Sequence, residues 1–146
     1  MKPALLNRRA AGTAVATLTL AACTVGALAS PAAAKANSIT VGKVALDTRH
    51  AVITAALAYS CDPGSDVHLA TTATRLHPAK GHRPAVATAT LANKKLVCDA
   101  RQHRVRLTLR PKPGSSFHKG NKVQVAASVV TPHGAHYADA KKIVTL

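Results

Sequence analysis

Apolar and polar positions alternate with a period of two along much of the chain. In AVITAALAYSC, Ile53, Ala55, Leu57, Tyr59 and Cys61 fall on one face. In RVRLTLR, Val105, Leu107 and Leu109 alternate with Arg104, Arg106, Thr108 and Arg110. NKVQVAASVV repeats the pattern with Val123, Val125, Ala127 and Val129. Successive side chains of a strand point to opposite faces, so this period marks half-buried strands. SITVGKV, SDVHLATTAT, PAVATATL, KKLVC and AKKIVTL are weaker strand candidates. Between the strands stand the turn-forming stretches CDPGSD, HPAKGHRP, RPKPGSS and TPHGAH. No convincing helical period is present. Short strands punctuated by turns predict an all-β fold, an immunoglobulin-like antiparallel β-sandwich of about 7–8 strands.

The first residues read differently. Lys2, Arg8 and Arg9 give a positive start, no charged residue stands between Ala10 and Ala29, and Ser30-Pro31 leads into Ala32-Ala33-Ala34. This is the layout of a secretory signal peptide. The run is long enough to span a bilayer, but it is rich in Ala and Thr and meets a small-residue cut site directly. The expected division is a signal peptide over residues 1–34 and a single domain over residues 35–146, with the mature protein secreted and not membrane-spanning. Leu20-Ala21-Ala22-Cys23 also resembles a lipobox. The alternative is therefore a lipoprotein anchored through an acylated Cys23. Against it, TVGALASPAAA continues apolar where a lipoprotein carries a polar tether. Asn7-Arg8-Arg9 lacks the flanking residues of a twin-arginine signal.

The three cysteines then resolve by parity. With Cys23 removed or lipidated, Cys61 and Cys98 remain as one pair in an oxidising compartment, and a structural disulfide is expected. Closing a loop of this length is worth roughly 3.5 to 4 kcal/mol in the chain-entropy model.

The domain left after processing is strongly basic. Of 20 Lys and Arg, three (Lys2, Arg8 and Arg9) precede residue 35; the remaining 17 face five Asp and no Glu, a net of +12. All eight histidines lie there too. Aromatics reduce to Phe117, Tyr59 and Tyr137, so the core must be built from Val, Ala, Leu and Ile, and a thin core of that kind gains from a staple.

LAYSC at 57–61, VCDARQH at 97–103, FHKG at 117–120 before VQVA at 123–126, and the closing VTL at 144–146 resemble a family of small secreted actinobacterial proteins classed only as a domain of unknown function. The resemblance covers nearly all of residues 35–146. It departs from that pattern at Ala100, where glycine is expected, and at Val105, where an aromatic is expected. It implies export, a single disulfide and a β-sandwich, and it implies no activity.

Catalytic chemistry has little to build on. The carboxylates are Asp47, Asp62, Asp66, Asp99 and Asp139, and Asp62 and Asp66 flank a Pro-Gly turn. No Gly-x-Ser-x-Gly, glycine-rich phosphate loop or His-Glu-x-x-His occurs. The expectation is a non-enzymatic protein without a cofactor. His133 and His136, with Asp139 nearby, are weak metal-ligand candidates. His77 and His82 stand among Arg75, Lys80 and Arg83, which disfavour a cation.

Charge is the clearest functional signal. Arg104, Arg106 and Arg110 project from one strand face, with Arg101 before and Lys112 after, and Arg75, Lys80 and Arg83 form a second cluster. Such density attracts polyanions. Aromatic stacking platforms and a nucleic-acid-reading module are both missing, which excludes sequence-specific nucleic acid. The expected partners are anionic cell-wall polymers or anionic lipid headgroups. The competing readings are an extracellular protein-interaction or inhibitor module and, third, a small metal-dependent enzyme. The oligomeric state is not written in the sequence. Processing gives the first test. The N-terminus of the protein from culture supernatant should lie at or near Lys35 by mass spectrometry, and diacylated Cys23 in the membrane fraction would contradict this.

Overall fold

The computed structural model describes residues 37–78 and 80–146, so the expected signal segment, with Cys23, lies outside the described residues. Seven strands follow one another: β1 (Ser38–Asp47), β2 (Val52–Ser60), β3 (His68–Arg75), β4 (Val86–Leu91), β5 (His103–Pro111), β6 (Lys122–Val130) and β7 (His136–Thr145). They are ordered β1-β2-β5-β4-β3-β6-β7, and every pairing is antiparallel. β1, β2 and β5 form one layer and β4, β3, β6 and β7 the other, an immunoglobulin-like sandwich. The layers touch at two seams. At one, β5 pairs with β4 only through Ala87–Pro111 and Thr88–Arg110. At the other, Lys142 of β7 donates from Nζ to the Gly42 carbonyl of β1 at 2.7 Å. The sheet is thereby nearly closed, which protects its edges.

The alternation read from the sequence sets the faces. Ile53, Ala55, Leu57 and Tyr59 of β2 are buried, as are Leu107 and Leu109 of β5 and Val123, Val125, Ala127 and Val129 of β6. Val105 is half-buried. Leu69, Ala73, Ala87 and Phe117 complete the apolar interior.

KKLVC is not a strand. Asn93–Lys95 forms a 3-10 turn, Leu96 is extended, and Leu96 to Cys98 have no ladder partner. The physical reason is the route: this segment carries the chain from β4 in one layer to β5 beside β2 in the other. Cys61 and Cys98 are bridged. The bridge joins the end of β2 to this crossover. Three hydrogen bonds reinforce it. Val97 N–H donates to the Tyr59 hydroxyl at 3.1 Å, Ala100 N–H donates to the Cys61 carbonyl at 3.0 Å, and Asp99 accepts from Arg101 N–H at 2.9 Å. Ala100 takes φ of 62°, a left-handed conformation that costs a non-glycine residue roughly 1–2 kcal/mol.

A bulge shapes β1. Val41 pairs with Leu57 and Val44 with Ala55, so β1 carries one extra residue across the Gly42-Lys43 step. A Cβ at Gly42 would lie 3.2 Å from the Ala56 carbonyl oxygen, which explains a glycine there. The bulge turns Lys43 outward and frees the Gly42 carbonyl for Lys142.

Replacing Cys61 and Cys98 together by alanine should lower unfolding free energy by about 4 kcal/mol for their 37-residue separation. Urea titration measures this, and an unchanged midpoint would show that the hydrogen bonds alone hold the crossover.

Candidate functional site

β5 places Arg104, Arg106 and Arg110 on its outer face, each exposed, because Val105, Leu107 and Leu109 are drawn inward. Same-face neighbours on a strand are about 6.5–7 Å apart. Beside them β2 offers only small side chains: Arg104 pairs with Ala58, Arg106 with Ala56, and Thr108 with Thr54. On the far side, β1 contributes Thr40, Lys43 and Ala45. The result is a trough about 9.5 Å wide, two interstrand spacings, with β2 as its floor.

Three hollows follow one another along this trough. The first, about 380 Å³, is lined by Thr40, Lys43, Ala56, Ala58, Gln102 and Arg104. The second, about 160 Å³, shares Lys43 and Ala56 with it and adds Ala45, Thr54 and Arg106. The third, about 570 Å³, shares Thr54 and adds Thr108, Arg110, His50 and Asp47. Shared lining residues make them one continuous groove.

The remaining predicted cations are not in it. Arg75, Lys80, Arg83 and Lys112 gather at the sandwich end where β3 and β5 stop and β4 begins, with Arg75 N–H and Lys112 N–H donating to the carbonyls of Ala85 and Val86. Arg101 is exposed in the crossover, at the opposite end. The sequence reading missed Lys43 and His50 as groove residues. The usable signals were Gly42 inside a strand pattern, which marks a bulge, and the small residues alternating along the outer face of β2.

Counter-charge is scarce because the aspartates are engaged locally. Asp47 Oδ2 lies 2.8 Å from His50 Nδ1, Asp99 Oδ1 2.7 Å from His103 Nε2, and Asp139 Oδ1 2.8 Å from His136 Nδ1. Asp62 and Asp66 accept from the side-chain amides of Asn37 and Asn93 at 2.9 and 2.8 Å. Among the described residues no arginine or lysine forms an ion pair with an aspartate. The His50 hydrogen bond holds the Asp47 carboxyl below the ordinary 3.8, helped by the backbone N–H groups of Arg49 and His50. Asp99 is lowered first by His103 and then by the Arg101 N–H. Asp139 is lowered first by the Ser128 hydroxyl and then by His136.

The weak metal candidates do not assemble: among the described residues no group of three His, Cys, Asp or Glu is placed to hold an ion. His136 is instead bound to Asp139, and His133 stands exposed in the β6–β7 turn. No helix among the described residues is long and apolar enough to cross a membrane. No family model, curated protein or solved structure matches the chain.

A carboxylate whose folded pKa is depressed stabilises above its unfolded pKa and loses that contribution as pH falls through the folded value. Stability owed to Asp47, Asp99 and Asp139 is therefore complete above their common reference of 3.8 and fades below it. The triple Asp→Asn variant should lose stability less steeply than the parent between about pH 5 and pH 1, measured as the urea midpoint at low salt. Equally steep curves would show that the three hydrogen bonds do not discriminate folded from unfolded carboxylates.

Proposed function

We propose that this is an exported, non-enzymatic sandwich protein that binds linear anionic polymers of the cell envelope along the β1-β2-β5 groove, with anionic lipid headgroups as the second ligand. The observation that carries the reading is the row Arg104, Arg106 and Arg110. It faces outward over a floor of small residues, has Lys43 across the groove, and lacks carboxylate partners. Arg104 and Arg106, held about 7 Å apart, repel one another, with Arg110 about 13 Å further along the strand, and an anionic chain lying along the row relieves that cost. The floor carries no aromatic platform, so attraction to backbone charge dominates, with affinity of about micromolar or weaker and no base or sugar selectivity. Net charge and a disulfide accord with a secreted protein that meets anionic surfaces. Arg75, Lys80, Arg83 and Lys112 add to the long-range field, which speeds encounter more than it adds contact energy.

A second reading rests on the opposite layer. Ala70, Thr72 and Thr74 of β3 and Ala126 and Ser128 of β6 alternate with buried neighbours and form an uncharged strip of the outer face, bordered on β7 by Asp139, Lys141 and the exposed Tyr137 and Ile143. Such a face suits protein contact. It would bind a partner with little dependence on salt, which separates the two readings.

The groove is tested by replacing Arg104, Arg106 and Arg110 with glutamine and titrating long-chain inorganic polyphosphate at several salt concentrations. Loss of three phosphate contacts should lower the slope of log affinity against log salt by about two to three units. A slope equal to the parent's would reduce the row to solvated charge.

A further inference from the structure

The groove does not stop at Arg110. Its last hollow shares His50 and Pro111 with a further one of about 490 Å³, held between the β1–β2 turn and the loop that follows β5. The volume is in the range of small-ligand sites. Its chemistry differs from that of the groove. Leu46, Pro111 and Phe117 give it an apolar floor, and His50, His118 and Lys119 stand at its rim. Both walls are braced. His50 Nδ1 is fixed by Asp47, and the His118 backbone N–H donates to Asn121 Oδ1 at 3.0 Å. Phe117 is only 6 % exposed, so the floor is part of the packed core.

An apolar floor under a cationic rim matches an amphiphile whose anionic head adjoins its apolar part. A bare phosphate chain would leave the floor wet, and a neutral hydrocarbon would leave the rim without a partner. We propose that this hollow takes a short alkyl phosphate group at the end of the anionic polymer. The phosphate lies against His118, Lys119 and His50, and the alkyl chain lies over Phe117 and Leu46. This rests on the groove reading for the direction of the polymer, which then enters the groove past Arg110. It gives the site what the arginine row lacks, selection for one end of the ligand.

The test uses the domain with its disulfide intact and a series of free ligands: inorganic phosphate, ethyl phosphate, butyl phosphate and hexyl phosphate, followed by amide chemical shifts. A fully buried methylene tightens binding about fourfold, so with two of its four extra methylenes on the floor hexyl phosphate should exceed ethyl phosphate by about tenfold or more. The shifts should centre on residues 116–119 and the 48–51 turn. The double variant His118→Gln, Lys119→Gln should weaken every ligand while leaving the chain-length step in place. Binding independent of chain length, or shifts centred on Arg104 and Arg106, would overturn the proposal. Polyphosphate measured on the same sample separates the two readings. Chain-length dependence without polyphosphate binding supports the hollow and removes the groove. Polyphosphate binding without chain-length dependence overturns the hollow and leaves the groove standing.

Discussion

The fastening of the β4–β5 crossover to the end of β2 is the constraint on which the rest depends. The crossover must leave one layer, cross the end of the sandwich and deliver β5 to the side of β2. In this layout β5 gains seven partners along β2 and only two along β4. Its position is therefore set from the β2 side, and the disulfide, the Tyr59 hydroxyl and the Cys61 carbonyl all act there. Tyr59 is near the end of β2 and Cys61 directly follows the strand; both are buried and grip the same passing segment. Asp99 then accepts from Arg101 N–H and pairs with His103, which starts β5. The tilted contact of His103 on Tyr59, with ring centroids 5.8 Å apart, closes the circle. Cys61, Tyr59, Asp99 and His103 are thus parts of one fastening, which is a structural role.

Charge follows from the same use of residues. The domain has five carboxylates, and each is engaged with a histidine or an asparagine near a turn or a strand end. Turn chemistry needs short acceptors that can meet backbone N–H groups, and aspartate serves that need. With all five so placed, the arginines of β5 face solvent without counter-ions. Exposed pairs would have added little stability in any case, so the arrangement costs the fold little while it leaves a strong local field.

The strands were legible in the sequence because their alternation is clean. In β2, β5 and β6 every inward residue read from the pattern is buried or half-buried. KKLVC misled because two apolar residues beside a cysteine look the same whether they enter a ladder or cross between layers. Local pattern carries no information on that choice; the disulfide partner and the sheet order decide it. The arginine row was legible for the same reason as the strand. The groove was not, since its shape depends on β1 and β5 flanking β2, a long-range pairing. Nothing in the sequence relates His50 to His118, and only the fold brings their two turns to one hollow. Ala100 is a further case: nothing in the local sequence marks its left-handed backbone, which belongs to the crossover that the fold imposes.

One compositional fact links the fastening to the groove. The domain has almost no aromatics and many alanines, threonines and valines. Small side chains bury little apolar area each, so the interior supplies less stability than a core of larger residues would, and a covalent staple has more to contribute. The same small side chains, where they face outward on β2, leave the floor of the groove low between taller walls. A stronger floor of Leu or Phe would fill the trough and turn Arg104 and Arg106 away from any chain lying on the sheet. Low side-chain volume thus weakens the inside and opens the outside at once, and the Cys61–Cys98 bridge compensates for the first effect without touching the second. The one large ring placed away from the strands, Phe117, anchors the loop beside the end hollow, which is where an apolar surface meets the cationic rim.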